Sequence, residues 1–407
     1  MNLLFAWRYF IAKKSTNAIN VIAWVSMIAI VLITAAFIIL LSVFNGFEGL
    51  VKSLYSSFYA DLRISPKTEK SMIVTPLQFS KMKVIYNIEA VSKIVEEKAL
   101  LQNGEIQTIV YLKGVDDNYS KVASVPQKMI RGEFNVGDSN KAFVVLGSGI
   151  ENALGVMSDR NLYPLTAYLF KRGVNVNVVD PYQAFSAENV ATSGTFFIQQ
   201  DIDNKYAITN TWFLKKMLSM GEDEYGSLEI ALRNLGEALE TKEELKKVFG
   251  DDYIIETRYE QNKSLYSVMN LEKWAIYGIL TMMLIVAAFT MIGALTMLVL
   301  EKQKDIQILK ALGADNHRVR KIFLTEGILL AGMGAFSGLL LATFICWAQV
   351  KYKLIAIEGG TFLIDYYPVE LRLSDFFLVL VTVMLIAFLA SWFPARKAAI
   401  QPVELKT

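Results

Sequence analysis

The stretch from Ser15 to Phe47, STNAINVIAWVSMIAIVLITAAFIILLSVFNGF, contains no Asp, Glu, Lys or Arg and decides the architecture. A helix needs ~20 apolar residues to cross a hydrocarbon core of ~30 Å. Three later stretches are also free of these four residue types and are long enough: Trp274–Leu300, Gly327–Val350 and Phe376–Ala395. The sequence therefore predicts an α-helical membrane protein with four transmembrane helices.

A charged, strand-rich segment of more than two hundred residues separates the first two stretches, and it predicts a large water-exposed domain. Its length exceeds the usual domain size of ~100–150 residues, so two subdomains are expected. The predicted organisation is an interfacial helix at 1–14, a first span at 15–47, an inserted domain at 48–256, a stalk and second span at 257–300, a loop at 301–326, a third span at 327–350, a short loop at 351–375, a fourth span at 376–395 and a tail at 396–407.

The distribution of charge predicts the orientation in the membrane. The N-terminal segment, the 301–326 loop and the tail together hold twelve Lys or Arg against five Asp or Glu, whereas the insert, counted to Lys273, holds 26 against 30. Short loops rich in Lys and Arg stay on the cytoplasmic side of a membrane. Both termini and the 301–326 loop are therefore predicted to be cytoplasmic, with the inserted domain and the 351–375 loop extracytoplasmic.

The inserted domain alternates between strand-like and helix-like patterns, which predicts an α+β fold. Predicted strands are Asp61–Ser65, Ile94–Leu101, Ile106–Lys113, Lys141–Leu146, Val174–Val179, Thr195–Gln199 and Ser227–Arg233. Predicted helices are Pro76–Asn87, Asn210–Met220 and Glu237–Phe249. The segment Glu256–Lys273 lacks Gly and Pro, so it is expected to continue as a rigid helical stalk into the second span.

Several classes of protein are disfavoured by missing motifs. No G-x-x-x-x-G-K-[ST] motif occurs, so a P-loop nucleotide site is not expected in this chain. The spans lack the ionisable residues that gradient-coupled carriers use. The only cysteine, Cys346, and the only histidine, His317, cannot form a Cys/His metal site or a histidine-based triad. The chain is therefore not expected to be an enzyme or to hold a metal or cofactor, and its energy must come from another chain.

The loop between the second and third uncharged stretches carries the most specific pattern. Its sequence EKQKDIQILKALG, from Glu301 to Gly313, predicts a short amphipathic helix that ends at a glycine with a left-handed conformation. Asp315 is expected to cap the next helix. Such a helix can press into a groove of a cytoplasmic partner, or it can simply anchor the loop at the membrane surface.

The two faces of this helix are predicted from its spacing. The apolar face is expected to hold Ile306, Leu309, Ala311 and Leu312. The residues expected in solvent are Lys302, Lys304, Asp305 and Lys310. Glu301 and Glu326, at the ends of the loop, are also expected in solvent, or alternatively they orient the loop. In the third span, small residues from Gly327 to Gly338 predict close helix packing within one protomer.

Four separated stretches resemble a known family. Glu301–Ala342 is similar to the signature of FtsX/MacB-type ABC permeases, in which a DI-ILKALGA segment is the coupling helix. The stretches that resemble the lipoprotein-releasing LolC/LolE permeases are Leu41–Glu48 (LSVFNGFE), Gly359–Asp375 (GGTFLIDYYPVELRLSD) and Pro394–Leu405 (PARKAAIQPVEL). The similarity covers both ends and all four spans, and it is specific because the motifs occur in the family's order.

The resemblance implies a permease that forms a dimer with a second LolC/LolE-like protomer and binds a LolD-like cytoplasmic ATPase dimer, which would hold the ATP and Mg. The implied function is extraction of acylated lipoproteins from the outer leaflet of the inner membrane of a Gram-negative bacterium. A LolA-like periplasmic carrier would receive them, and no nucleic acid is involved. The residues implied to couple to the ATPase are Asp305, Ile306, Ile308, Leu309, Lys310, Ala311, Leu312, Gly313 and Ala314.

Two more sites follow from the resemblance. Acyl chains need an apolar, laterally open cavity, for which the candidates are Phe37, Leu41, Phe44, Phe47, Val268, Met269 and Ile276. Alternatively, each of these residues faces lipid or another helix. A hook in the inserted domain would grip the carrier, and the nearest candidate, which is otherwise an ordinary hairpin loop, contains Asp180, Pro181, Tyr182 and Phe185.

Two other functions remain open. An FtsX-type permease would use the inserted domain for mechanical transmission to an envelope hydrolase, and a MacB-like permease would take part in efflux. The coupling-helix motif is common to all three, so it does not separate them. The stretches LSVFNGFE and YYPVELRLSD favour lipoprotein release.

Overall fold

The computed structural model describes residues 17–160, 164–171, 185–357 and 366–401, and within the first helix it leaves out the side chains of 17–20 and 23. The chain forms two compact units: a membrane unit, which runs to Leu50 and resumes at Ser267, and an inserted domain from Val51 to Tyr266. The described helices are α1 Asn17–Phe58, α2 Pro76–Val84, α3 Tyr119–Val122, α4 Ser148–Leu154, α5 Gln200–Asp203, α6 Thr211–Leu218, α7 Ala238–Phe249, α8 Arg258–Gln261, α9 Lys263–Glu301, α10 Gln303–Ala311, α11 Asn316–Tyr352 and α12 Leu373–Ile400.

Four of these helices, α1, α9, α11 and α12, are long and apolar enough to cross a membrane. Each of them extends beyond its uncharged stretch at one end or both, and α1 continues as far as Phe58. One expectation about the spans was wrong. The stalk predicted as one helix from Glu256 begins instead with a strand that ends at Thr257, and the helical segment is interrupted at Asn262.

Small residues bring α11 close to its neighbours in the membrane unit, as the sequence predicts. A Cβ atom on Gly338 would lie 2.6 Å from the carbonyl oxygen of Val31 in α1, and one on Gly334 would lie 2.9 Å from a methyl carbon of Ile30. Only glycine therefore allows α1 and α11 to approach this closely. Around this contact the four helices share one apolar core.

The inserted domain is a mixed sheet with short helices around it. Its strands are β1 Leu62–Pro66, β2 Met72–Ile73, β3 Ile88–Asn103, β4 Ile106–Val115, β5 Met129–Gly132, β6 Phe143–Gly147, β7 Leu165–Phe170, β8 Phe185–Phe196, β9 Tyr206–Asn210, β10 Glu224–Tyr225, β11 Ser227–Leu232 and β12 Tyr253–Thr257. The main sheet runs in the order β12-β1-β11-β3-β4-β9-β6-β8-β5, with β7 pairing with both β3 and β8. Six strands, β3, β4, β9, β6, β8 and β7, therefore pair in a closed cycle.

The long strand β3 joins the two parts of this sheet. Its first half pairs with β11 and its second half with β4 and β7. The length of the domain predicts two subdomains, whereas its described residues form one compact unit with one large hydrophobic core and a small separate cluster of Ala60, Ala90, Val122 and Ala231. The predicted strand Thr195–Gln199 overlaps only the end of β8, and Val174–Val179 lies outside the described residues.

A buried ion pair of the inserted domain lies beside Phe58, which ends α1 and belongs to this domain. Lys113 Nζ on β4 is 2.8 Å and 3.0 Å from the two carboxylate oxygens of Glu229 on β11. The same ammonium group lies 4.5 Å from the ring centroid of Phe58, the last residue of α1, and 5.0 Å from that of Tyr119. A carboxylate and two aromatic faces thus compensate a buried cation.

Candidate functional site

The short helix α10 occupies the loop in which the sequence predicts it. It ends where Gly313 adopts a φ of +93°, and the backbone N–H of Ala314 donates to the carbonyl of Leu309 at 3.0 Å. Glycine adopts such a φ without steric cost, so the chain can turn at this point. Asp315 then caps α11, because its side chain accepts from the backbone N–H of Arg318 at 3.0 Å.

One face of α10 is fixed to the membrane unit. Ile306 is 1% exposed and packs in a cluster with Leu298 and Val299 of α9, Val319 and Phe323 of α11, and Ala395 and Ala398 of α12. Lys310 Nζ donates to the carbonyl oxygens of Ala399 and Gln401, at 2.7 Å each. The expectation that Lys310 is solvated was therefore wrong, since its ammonium group satisfies carbonyls at the end of α12.

The opposite face of α10 presents apolar side chains to solvent. Leu312 is 80% exposed and Ile308 is 59% exposed, so Leu312 does not share the buried face that its spacing predicts. The other predicted coupling residues lie between these extremes: Leu309 and Ala314 are half-buried, Ala311 and Gly313 are exposed, and Asp305 pairs with Lys302 at 3.2 Å. The two exposed side chains form an apolar surface that a partner protein could bury.

The sequence predicts that Glu326, where this loop enters the third span, is solvated, but the structure places it in the interior. Glu326 is only 1% exposed. The adjacent Gly327 explains the burial, because a Cβ atom there would lie 2.8 Å from Cβ of Ser391 on α12. Such a close approach of α11 and α12 leaves no room for water around the carboxylate.

A polar network that sequence reasoning missed joins three spans at their other end. Asn45 of α1 is fully buried, and its Nδ2 donates to Oδ2 of Asp375 on α12 at 2.5 Å. Lys273 Nζ of α9 donates to Oδ1 of Asn45 at 3.0 Å and lies 3.9 Å from Asp375. Together these three side chains satisfy one another in a site that is largely closed to water.

The chain before α12 follows the same end of α1. The backbone N–H of Glu370 donates to the carbonyl of Ser42 at 2.9 Å, and Arg372 pairs with Glu48 at 3.2 Å. Gly46 lies against this segment so closely that a Cβ atom would lie 2.7 Å from the backbone nitrogen of Val369. The stretches LSVFNGFE and YYPVELRLSD, which are far apart in sequence, are therefore in contact.

The predicted acyl-chain residues differ widely in exposure within the protomer, and their role in holding acyl chains stays a prediction. Phe37 and Leu41 are 0% and 1% exposed and belong to the core of the four helices, where the Phe37 ring contacts Tyr277 at 5.4 Å. Of the others, Met269 is buried, Phe44, Phe47 and Ile276 are half-buried, and Val268 is exposed. A helix that is apolar on every side gives no pattern from which its packed face can be read.

An apolar groove lies instead between α9 and α12. Its volume is about 630 Å³, and its walls include Ile285, Phe289, Leu385 and Leu389, all of which are at least 45% exposed. At one point the hydroxyl groups of Tyr277 and Thr382 hydrogen-bond to each other at 2.5 Å. Pockets of this size and composition accommodate apolar ligands.

The predicted hook can be assessed only in part. Asp180, Pro181 and Tyr182 lie outside the described residues. Phe185 is the first residue of β8, and its ring centroid lies 4.2 Å from that of Phe170 on the paired strand β7. Phe185 therefore packs across a strand pair, and its role in binding a carrier stays a prediction.

Two family models match separate parts of the chain. An FtsX-like permease C-terminal model matches residues 277–403, and a MacB-like periplasmic core domain model matches residues 23–164. The first match contains α10 and most of the membrane unit. The second contains the first half of the inserted domain.

Curated relatives match over nearly the full length. The lipoprotein-releasing system transmembrane protein LolC of Neisseria meningitidis is 26% identical over 98% of this chain and 98% of its own. The corresponding LolE protein of Haemophilus influenzae is 26% identical over 98% of this chain and 97% of its own. Among solved structures, the extracellular domain of the ABC-type transporter YknZ is 12% identical over 49% of this chain and 99% of its own, with a TM-score of 0.35.

Proposed function

We propose that this chain, which is similar over nearly its whole length to LolC and LolE and matches an FtsX-like permease model at 277–403, is a transmembrane subunit of a lipoprotein-releasing ABC complex. It extracts acylated lipoproteins from the outer leaflet of the inner membrane and transfers them to a LolA-like periplasmic carrier. A LolD-like ATPase dimer supplies the energy from the cytoplasm, and a second protomer completes the permease. Both termini and α10 face the cytoplasm in this arrangement.

The two faces of α10 carry the proposal. The exposed pair Ile308 and Leu312 is the surface that the ATPase engages, while Ile306 and Lys310 fix the helix to its own chain. Apolar anchors at the centre of an interface usually supply most of its binding energy. A helix with one face for a partner and the other for three spans can transmit movement between them.

The packing around Ile306 determines where that movement is delivered. The cluster contains side chains of α9, α11 and α12, so displacement of α10 acts on the inner ends of three spans at once. Lys310 adds two hydrogen bonds to the end of α12. A close-packed contact of this kind transmits strain because it has little room to deform.

The opposite ends of the spans are tied by the network of Asn45, Lys273 and Asp375. It joins α1, α9 and α12, and the sequence continues from α1 and α9 into the inserted domain. A rotation of these spans is therefore accompanied by movement of the chain segments that lead to that domain. This supports mechanical transmission from the ATPase side to the periplasmic side.

The apolar groove between α9 and α12 supports a route for acyl chains. Its walls are apolar and open to the side, whereas Phe37 and Leu41 are already enclosed by the protomer. Phe44 and Phe47 remain half-buried and stay candidates for contact with the cargo. Aromatic and aliphatic side chains suit acyl chains of different length because their contacts are not directional.

The test compares two variants that each add one carboxylate, one directly after the C-terminal end of α10 and one at its start. Leu312→Asp is expected to abolish copurification of an ATPase from detergent-solubilised membranes and to stop release of an acylated lipoprotein to a soluble carrier. Gln303→Asp, at an exposed position at the start of the helix, is expected to retain both. Retention of ATPase binding and release by Leu312→Asp would contradict the proposal.

The identity of the bound cargo distinguishes lipoprotein release from the related FtsX-type and MacB-type functions. A photocrosslinking residue at Phe289, in the groove, or at Phe44 is expected to capture an acylated lipoprotein in membranes. Capture of an envelope hydrolase at the inserted domain without any lipoprotein would favour regulation of that hydrolase. Partnership with an outer-membrane duct would favour efflux.

A further inference from the structure

The inserted domain contains a cationic cavity that the lipoprotein-release function does not use. Its volume is about 740 Å³, and it lies beside the first half of β3. Four cationic side chains line it, Lys83, Lys93, Lys121 and Arg233, against the two carboxylates of Glu89 and Asp116. None of the four cations forms an ion pair with a residue in the described ranges.

Aromatic rings hold two of these cations close together. Lys83 Nζ lies 4.8 Å and Lys93 Nζ 5.2 Å from the ring centroid of Phe79. Lys93 Nζ is also 4.9 Å from the ring centroid of Tyr225 and 3.4 Å from its hydroxyl oxygen. An aromatic face orients an ammonium group but does not neutralise its charge. Two cations gathered on one ring repel each other, and a bound anion would remove this repulsion.

The acidic side chains of the cavity compensate these cations only in part. The Asp116 carboxylate accepts hydrogen bonds from Ser92 Oγ at 2.6 Å and from the backbone N–H of Lys93 at 3.1 Å. Burial raises the pKa of Asp116, while these hydrogen bonds and the charge of Lys93 lower it in part, so this one carboxylate offsets some of the charge of Lys93. Glu89 is exposed and forms no ion pair with a described residue.

We propose that this cavity binds a phosphate-bearing anion, either a soluble phosphate compound or the headgroup of a phospholipid. Three lysines and one arginine suit a compact group with more than one negative charge, and lysine serves as a point charge in many phosphate sites. Asn118 and Thr211, which also line the cavity, add neutral donors. The volume accommodates more than a single carboxylate. This inference does not depend on lipoprotein release.

The experiment measures anion binding to the full-length protein in nanodiscs of phosphatidylcholine. One arm titrates inorganic pyrophosphate, and the other titrates dihexanoyl phosphatidylglycerol with dihexanoyl phosphatidylcholine as its uncharged reference, both by calorimetry. Binding of pyrophosphate alone identifies a soluble ligand, and binding of phosphatidylglycerol alone identifies a headgroup site. Either result supports the proposal if added salt weakens the binding.

Variants locate the binding in this cavity. The double variant Lys83→Met/Lys93→Met is expected to weaken the affinity at least about tenfold, because it removes two charge-assisted contacts. Arg233→Met, a change at an exposed residue, is expected to weaken it independently. Lys98→Met is the control, since Lys98 lies over Tyr111 and does not line the cavity. Absence of binding in both arms, or equal affinity in all these variants, would overturn the proposal.

Discussion

The buried pair of Lys113 and Glu229 allows a quantitative prediction about the inserted domain. In Lys113→Met, a side chain of similar length replaces the lysine, but both hydrogen bonds to Glu229 are lost. The side chains of the two residues are 2% and 4% exposed, so water cannot take the place of the lysine. Glu229 is then left without a direct ion-pair partner, and only the charge of Arg63, on the paired strand β1, still offsets it.

The expected cost follows from this burial. Removing one partner of a buried ion pair costs about 3–5 kcal/mol, because the remaining charge is left desolvated. The loss of the contacts with Phe58 and Tyr119 is part of this cost. The free energy of unfolding of a typical domain is about 5–15 kcal/mol, so Lys113→Met is expected to remove a large fraction of the stability. Replacing both partners, in Lys113→Met/Glu229→Leu, is expected to recover most of it.

The assay unfolds the purified full-length protein with denaturant in detergent. Protease cleavage within the inserted domain is the measure of how much of that domain has unfolded. Lys216→Met is a matched control, since Lys216 Nζ lies 2.7 Å from Glu188 but the two side chains are 51% and 39% exposed. An exposed pair of this kind is worth about 0–1 kcal/mol. Equal destabilisation by Lys113→Met and Lys216→Met, or a double variant less stable than Lys113→Met, would refute the reasoning.

Three further predictions concern packing, pH and α10. Gly46→Ala is expected to lower the melting temperature and impair lipoprotein release, because the added Cβ would clash with residues 368–369. Gly278→Ala is the control, since a Cβ at this position meets only open space. Equal behaviour of the two variants would contradict the close contact at Gly46. Burial raises the pKa of Asp203 to about 6, so the folded protein holds a proton that the unfolded chain loses between about pH 4 and 6. Stability should therefore fall as the pH rises through that range, and Asp203→Asn should remove this dependence in unfolding titrations. Lys310→Met is expected to weaken the end of α12 by about 1.5–3 kcal/mol, and hydrogen exchange of 395–401 that stays as slow as in the parent protein would contradict this.

The sequence predicts the elements whose cause is local. Four charge-free stretches become the long apolar helices, and Gly313 and Asp315 mark the end of α10 and the start of α11. Strands with clear alternation, such as Ile106–Val115, also form close to the predicted ranges. In each case the physical reason lies in neighbouring residues: hydrophobic length, backbone freedom or a side chain that caps a helix.

The errors concern partners that are distant in the chain. Glu256 and Thr257 enter a strand because they pair with Arg63 and Leu62 of β1, far toward the N-terminus, and nothing in the local pattern indicates that pairing. Lys310 is part of an amphipathic pattern, but its bonding partner at Ala399 is 89 residues away. The network of Asn45, Lys273 and Asp375 likewise depends on three helices meeting, and a single sequence does not reveal such meetings.

The closed cycle of six strands has a consequence for strand pairing between neighbouring molecules. A strand whose two sides are already paired offers no free N–H and C=O groups to a neighbouring molecule. Among the described strands of the main sheet, the terminal positions fall to β12, with five residues, and β5, with four, while residues 106–110 of β4 and 185–190 of β8 are paired on one side only. Neighbouring copies held side by side in one membrane thus meet only short unpaired borders of four to six residues in the described part of the sheet, which limits pairing between molecules without a covalent crosslink.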